Sequence, residues 1–232
     1  MSENPDIQSP NSNWLTLEVL QRGFEDAQAG IKQAQRAGKR IAGFMGSARV
    51  KPGNTLYEHA KNLAKALGKL NYAILTGGGS GIMAAANEGA HLAGAPSLGN
   101  RLGLLSKEHI DNTPFTDLIV TRELLFIRRF LLTTVPTALP LYPGGFGTQT
   151  EGNEILTLLQ TSITAGVPVI CLEDDSQPYW TNYRRFLKEN MLPPGYIDEK
   201  DLDLFDIRNI NEEESANKIA EEINERVLAL GK

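Results

Sequence analysis

The chain has 232 residues, 41% of them hydrophobic and 22% charged, a composition that suits a globular protein long enough to bury one large core. A net charge of −5, with no block of Lys or Arg, excludes a nucleic-acid-binding surface as the main function and leaves room for a small anionic ligand at a local site. The single cysteine, Cys171, excludes a disulfide within the chain, no stretch approaches the roughly 18 apolar residues that span a membrane, and the N-terminus has no signal-peptide pattern, so a cytoplasmic location is expected.

Residues 1–13 are rich in Ser, Asn, Pro and Asp and are expected to form a loose tail. Over 14–37, Trp14, Leu17, Leu20, Phe24, Ala27 and Ile31 recur at helical spacing, which predicts an amphipathic helix packed on the domain or a partner and ended by Gly38. An apolar strand follows at 41–45, then the loop Gly46-Ser47-Ala48-Arg49 and a helix capped by Thr55 that runs to about residue 69. The plan repeats as a strand at 72–76, a turn from Gly77 through Gly81 and a helix at 82–92. The G-x-G-x-x-A pattern at Gly79, Gly81 and Ala84 suggests a dinucleotide site, but the acid expected about 20 residues on is missing, which disfavours NAD.

A strand at 118–121 leads to a helix at 123–134 that is apolar almost all round between Leu124 and Leu132 and is expected to be buried. At least one of Arg128 and Arg129 should therefore meet an acid or a phosphate, unless it reaches out to the surface. Later segments read as a helix at 147–165, a buried strand at 167–172 that holds Cys171, and a helix at 179–190 with Trp180, Tyr183 and Leu187 in the core. An edge strand at 203–207 precedes a closing helix at 212–230 whose acids Glu212-Glu213-Glu214 are solvated. Alternation of strand and helix implies an α/β domain built on a parallel sheet.

The stretch from Leu139 to Glu151 reads as a buried strand, a glycine turn and a helix start, the combination that presents unpaired N–H groups and a positive dipole end to an anion. Gly144, Gly145 and Gly147 remove side chains from that turn. Glu151 and Glu154 fall on one helix face beside it. Thr148-x-x-Glu151 also has the spacing of a capping box, the commoner use of such a pair on spacing alone. No His/Cys/Asp cluster has metal-ligand spacing, so neither a metal nor a cofactor is expected.

Pro143-Gly144-Gly145-Phe146-Gly147-Thr148-Gln149-Thr150-Glu151 resembles the P-G-G-x-G-T-x-x-E signature of the Lonely Guy family of nucleotide phosphoribohydrolases. Gly46-Ser47-Ala48-Arg49, the run from Thr76 to Met83, and Phe126-Ile127-Arg128-Arg129 are similar to that family's other blocks in the same order, over roughly residues 40–210. The resemblance implies a single Rossmann-like domain, a doubly wound parallel sheet flanked by helices over residues 39–232, preceded by a helix at 14–38. It also implies a homodimer or higher homo-oligomer that cleaves the N-glycosidic bond of nucleoside 5′-monophosphates, including cytokinin ribotides.

By the same resemblance Arg128 and Glu151 match the catalytic pair, while Gly46, Ser47, Gly78, Gly79, Arg129, Gly144, Gly145, Gly147, Thr148 and Glu154 match substrate-binding positions. The chain departs from the family pattern at Arg129, where a lysine is usual, at Thr150, and in the loop Asn112-Thr113-Pro114-Phe115 near the base pocket. The family has often carried the label lysine decarboxylase, but no lysine here has the context of a pyridoxal phosphate Schiff base. Two other classes stay open, a non-catalytic nucleotide or cofactor carrier on the same fold and a nicotinamide-dependent oxidoreductase.

Overall fold

The computed structural model describes residues 17–36, 40–102, 115, 118–122, 124–164, 166–211 and 215–231. The expected tail at 1–13, Trp14, Gly38, the loop residues 112–114, Glu123 and the acid run 212–214 lie outside the described residues. In order the elements are α1 (Leu17–Arg36), β1 (Arg40–Phe44), α2 (Thr55–Lys69), β2 (Tyr72–Thr76), α3 (Ile82–Leu92), β3 (Ser97–Leu102), β4 (Leu118–Arg122), α4 (Leu125–Thr134) and β5 (Leu139–Leu141). They continue with α5 (Phe146–Gln160), β6 (Val169–Glu173), α6 (Tyr179–Phe186), β7 (Asp206–Asn209) and α7 (Ser215–Ala229).

Every pairing between the described strands is parallel. β2 is buried at all five positions, as a central strand covered on both faces must be. The order β1-β2-β3-β4 forms one half and β5-β6-β7 the other. Bridges Ala42↔Ala138 and Met45↔Leu141, with Gly43 N–H donating to Ala138 O at 2.9 Å, join β1 to β5. The sheet thus reads β4-β3-β2-β1-β5-β6-β7, the Rossmann-like doubly wound arrangement. The chain winds outward one way from β1 and the other way from β5, so the loops leaving these two strands diverge and leave a crevice at their carboxyl ends.

Each sheet face has its own core. Leu63, Leu67, Ile82 and Ile223 from α2, α3 and α7 fill one side, and Leu132, Ile155, Trp180 and Phe205 the other. The expected bounds of β2 and α3 match the observed ones, but β3 is a strand that the sequence reading lacks. Its Ser97, Gly99, Asn100 and Arg101 break the apolar pattern, and polar satisfaction replaces hydrophobicity there. Buried Asn87 accepts from Thr76 Oγ1 at 2.8 Å and donates to Ser97 Oγ at 2.7 Å, tying β2, α3 and β3 together.

Two local expectations need correction. Asn54, not Thr55, caps α2, its Oδ1 accepting the Leu56 N–H at 2.9 Å. Helix α4 is only half buried. Ile127, Leu131 and Leu132 are covered, but Leu125, Phe126 and Phe130 remain 54%, 41% and 42% exposed, because the sheet, α5 and α1, whose Gly23 lies against Leu124 and Ile127, leave these three side chains outside the packing.

Candidate functional site

The crevice predicted by the strand order is a cleft of about 680 Å³ between the loop after β1 and the loop after β5. The two loops are clasped together. Ser47 N–H donates to Pro143 O at 3.0 Å, and the β1 loop is held in turn by the segment after β2, through Ile82 N–H to Ser47 O at 3.1 Å and Ser80 Oγ to Ala48 O at 2.7 Å. A Cβ on Gly144 would collide with Thr148 Oγ1 and stand 3.1 Å from Ser47 N, so the turn closes this tightly only with glycine. At Gly145 and Gly147 a Cβ would meet nothing within 4 Å, so backbone there faces open space.

Helix α5 begins with Gly145 as its N-cap, which places Thr148 two residues inside it. The Thr148-x-x-Glu151 spacing therefore does not form a capping box, and the first-turn N–H groups have no capping side chain. Glu151 lies one turn further in, buried to 8% exposure, and its Oε1 accepts from Arg128 Nη1 at 3.2 Å. The Arg128 guanidinium is fixed from behind by backbone carbonyls of β3 and of the residue after β2. Its Nε donates to Asn100 O at 3.0 Å and its Nη2 approaches Gly77 O at 3.5 Å, while Asn100 Nδ2 donates back to Arg128 O at 3.1 Å. A Cβ on Gly77 would strike Arg128 Nη2, so glycine after β2 is what admits the guanidinium.

Burial pushes the Glu151 carboxyl up from its ordinary value, and the Arg128 charge opposes that shift without cancelling it. A carboxylate held in a cleft against a fixed cation, with its proton affinity raised, is an arrangement typical of functional sites. The second pair, Arg129 Nε to Glu154 Oε2, sits beside the first, so both arginines meet acids where the sequence requires it of at least one.

Among the residues singled out in the sequence, Gly46, Ser47, Arg128, Gly144, Gly145, Gly147, Thr148 and Glu151 line the cleft together. Gly78 and Gly79 lie beyond Gly77 outside the lining, with Gly78 N–H bonded to Thr76 Oγ1 at 3.0 Å, and the Arg129–Glu154 pair is also off the wall. Tyr179, missed by the sequence reading, lines the cleft. Its hydroxyl donates to Gly144 O at 2.6 Å and accepts from Gln149 Nε2 at 2.6 Å, tethering the turn to α5 and α6. Its aromatic neighbours Trp180 and Tyr183 mark it in sequence as packing, so only the fold reveals the hydroxyl's task. Phe44, Met45, Met83 and Leu132 supply an apolar wall. Among the described residues no group of three or more His, Cys, Asp or Glu could hold a metal ion, and no helix is long and apolar enough to cross a membrane.

A family model described as "Possible lysine decarboxylase" matches residues 83–219, more than half of the chain. The chain is similar in structure to the molybdenum cofactor binding protein from the phototrophic bacterium Rippkaea orientalis, with a TM-score of 0.57 and 21% identity over 82% of this chain and 98% of that one. It is also similar to the molybdenum cofactor carrier protein from Chlamydomonas reinhardtii, with a TM-score of 0.55 and 20% identity over 80% and 98% of the respective chains. At such identities the likeness is one of fold. No curated protein matches the sequence.

Proposed function

The chain belongs to the family described as possible lysine decarboxylase, the label that Lonely Guy proteins also carry, and we propose that it is a hydrolase that cleaves nucleoside 5′-monophosphates to free base and ribose 5-phosphate. The observation that carries this reading is the buried Glu151 carboxylate, held by Arg128 in the cleft beside an open glycine turn.

The 5′-phosphate binds the exposed backbone of Gly145 to Thr148 at the positive end of α5. That anchor fixes the ribose, and the apolar wall of Phe44, Met83 and Leu132 receives the flat base. As the glycosidic bond lengthens, positive charge grows on the ribosyl carbon and ring oxygen, and the ionised Glu151 faces it and orients the attacking water. Arg128 keeps that carboxylate ionised and held in place, and it can also polarise sugar or base oxygens. The decarboxylase name finds no support in the cleft, whose described lining contains no lysine to form a Schiff base. The half-exposed apolar residues of α4, with Leu17 and Phe24 on α1, support a homodimer, which light scattering would reveal as twice the chain mass.

The second reading is a non-catalytic carrier, favoured by the similar structures described as molybdenum cofactor binding and carrier proteins. Chromatography of AMP, CMP and an N6-modified AMP after incubation with pure protein separates the two. Hydrolysis yields base and ribose 5-phosphate, whereas a carrier returns every ligand intact.

A further inference from the structure

Three charged residues line the cleft among those described, Arg49, Arg128 and Glu151. The charges of Arg128 and Glu151 offset each other through their 3.2 Å contact. Arg49 is different. It stands on the loop after β1, two residues beyond Ser47, whose N–H reaches Pro143 O and whose Oγ accepts the Arg49 backbone N–H at 3.1 Å, so the loop's course brings Arg49 to the same cleft as the glycine turn. Its side chain is exposed, and its guanidinium makes no hydrogen bond or ion pair with any described residue. Among its described lining residues the cleft thus carries one uncompensated positive charge, on a long, exposed side chain.

From this charge balance we propose that Arg49 binds the phosphate of the substrate, completing from the β1 side an anion site that the backbone of α5 forms from the other. The inference rests on the hydrolase or carrier reading only in so far as the ligand carries a phosphate. A phosphomonoester bears a charge of about −1.5 to −2 near neutral pH, and helix N–H groups contribute only about half a positive charge. A guanidinium adds a full charge with planar paired donors that match phosphate oxygens. Arg49 therefore sets the preference for phosphorylated over unphosphorylated ligand, and it does so without touching the reacting bond.

The test is calorimetric binding of AMP and of inorganic phosphate to the full chain, alongside AMP turnover, in wild type, Arg49→Ala and Arg49→Lys. Because Arg49 is exposed and unbonded, its loss should leave the melting temperature unchanged. Arg49→Ala is expected to weaken AMP and phosphate binding by about 10- to 100-fold, the range for losing a hydrogen bond to a charged group, with Arg49→Lys recovering part of it. The dependence of AMP affinity on salt should flatten in parallel, and the effect on turnover should fall on KM more than on kcat. Equal AMP and phosphate affinities in wild type and Arg49→Ala overturn the proposal, as does a wild type that binds neither. If AMP binds in an Arg49-dependent manner but is never cleaved, the inference stands and the hydrolase reading falls.

Discussion

Replacing Glu151 by Gln removes one negative charge and little else. The two carboxylate and guanidinium groups stand 3.2 Å apart with side-chain exposures of 11% and 16%. At an effective dielectric constant of about 20 their gross attraction is about 5 kcal/mol. Yet the Glu151 carboxyl is raised above its ordinary value, so burial penalises its charge by more than Arg128 returns. The ion is therefore held at net expense to the fold, and its removal should not cost the gross figure. Gln keeps a carbonyl acceptor for Arg128 Nη1, and Arg128 retains Asn100 O and Gly77 O. Stability should thus change by no more than about 1 kcal/mol, well short of the 3–5 kcal/mol typical when a buried pair loses one partner outright. Turnover of AMP should fall at least about a hundredfold, or about 3 kcal/mol of transition-state stabilisation. The wild-type acid limb of kcat/KM should lie above the ordinary glutamate range, because activity is lost as pH falls through the raised folded-state value. The stability term has the opposite sign, being present at low pH and lost as pH rises through that value. Steady-state kinetics with thermal melts checks both, and a stable Glu151→Gln enzyme with wild-type turnover would refute the reasoning.

Three further outcomes follow from the same geometry. Tyr179→Phe removes the hydroxyl that bridges Gly144 O and Gln149, and it should raise KM for AMP by about tenfold with a smaller change in kcat, whereas unchanged kinetics would show that the turn needs no tether. Gly144→Ala forces a Cβ into Thr148 Oγ1 and should lower stability by about 1–3 kcal/mol in denaturant melts and displace the anion site, with an unperturbed melt counting against the turn as drawn. His59 is buried with Nδ1 2.8 Å from Tyr142 Oη and its pKa is lowered to about 4 by burial, so the stability of its neutral form is present above about pH 6.5 and lost as pH falls toward 4. Between pH 7 and pH 5 this amounts to about 2 kcal/mol, measurable by urea unfolding, and His59→Gln should remove that slope; an identical slope in the variant would assign it elsewhere.

The parallel-sheet architecture was legible in the sequence because β2 and α3 carry their own punctuation, an apolar run ended by glycines and an alanine-rich helix. β3 was not, since its buried positions are filled by Ser97 and Asn100, whose partners Asn87 and Arg128 are distant in sequence or in another element. Spacing suggested that Thr148 and Glu151 serve each other, but α5 starts at Gly145 and Glu151 turns to Arg128, 23 residues away, a contact that no local pattern encodes. Helix α4 was apolar enough to look buried, and its outer face shows why composition alone misleads: burial depends on how far its neighbours reach around a helix, and the sheet, α1 and α5 leave Leu125, Phe126 and Phe130 uncovered. Tyr179 and Arg49 come to the cleft through the strand order, which brings the ends of β1, β5 and α6 together.

The most direct test of the central claim is the number of moles of base released per mole of protein when AMP and adenosine are supplied separately at equal concentration. The proposed hydrolase releases many equivalents of adenine and ribose 5-phosphate from AMP and far less adenine from adenosine, because only AMP engages the glycine turn. Stoichiometric capture of intact AMP with no adenine released would contradict the claim and leave the protein a carrier.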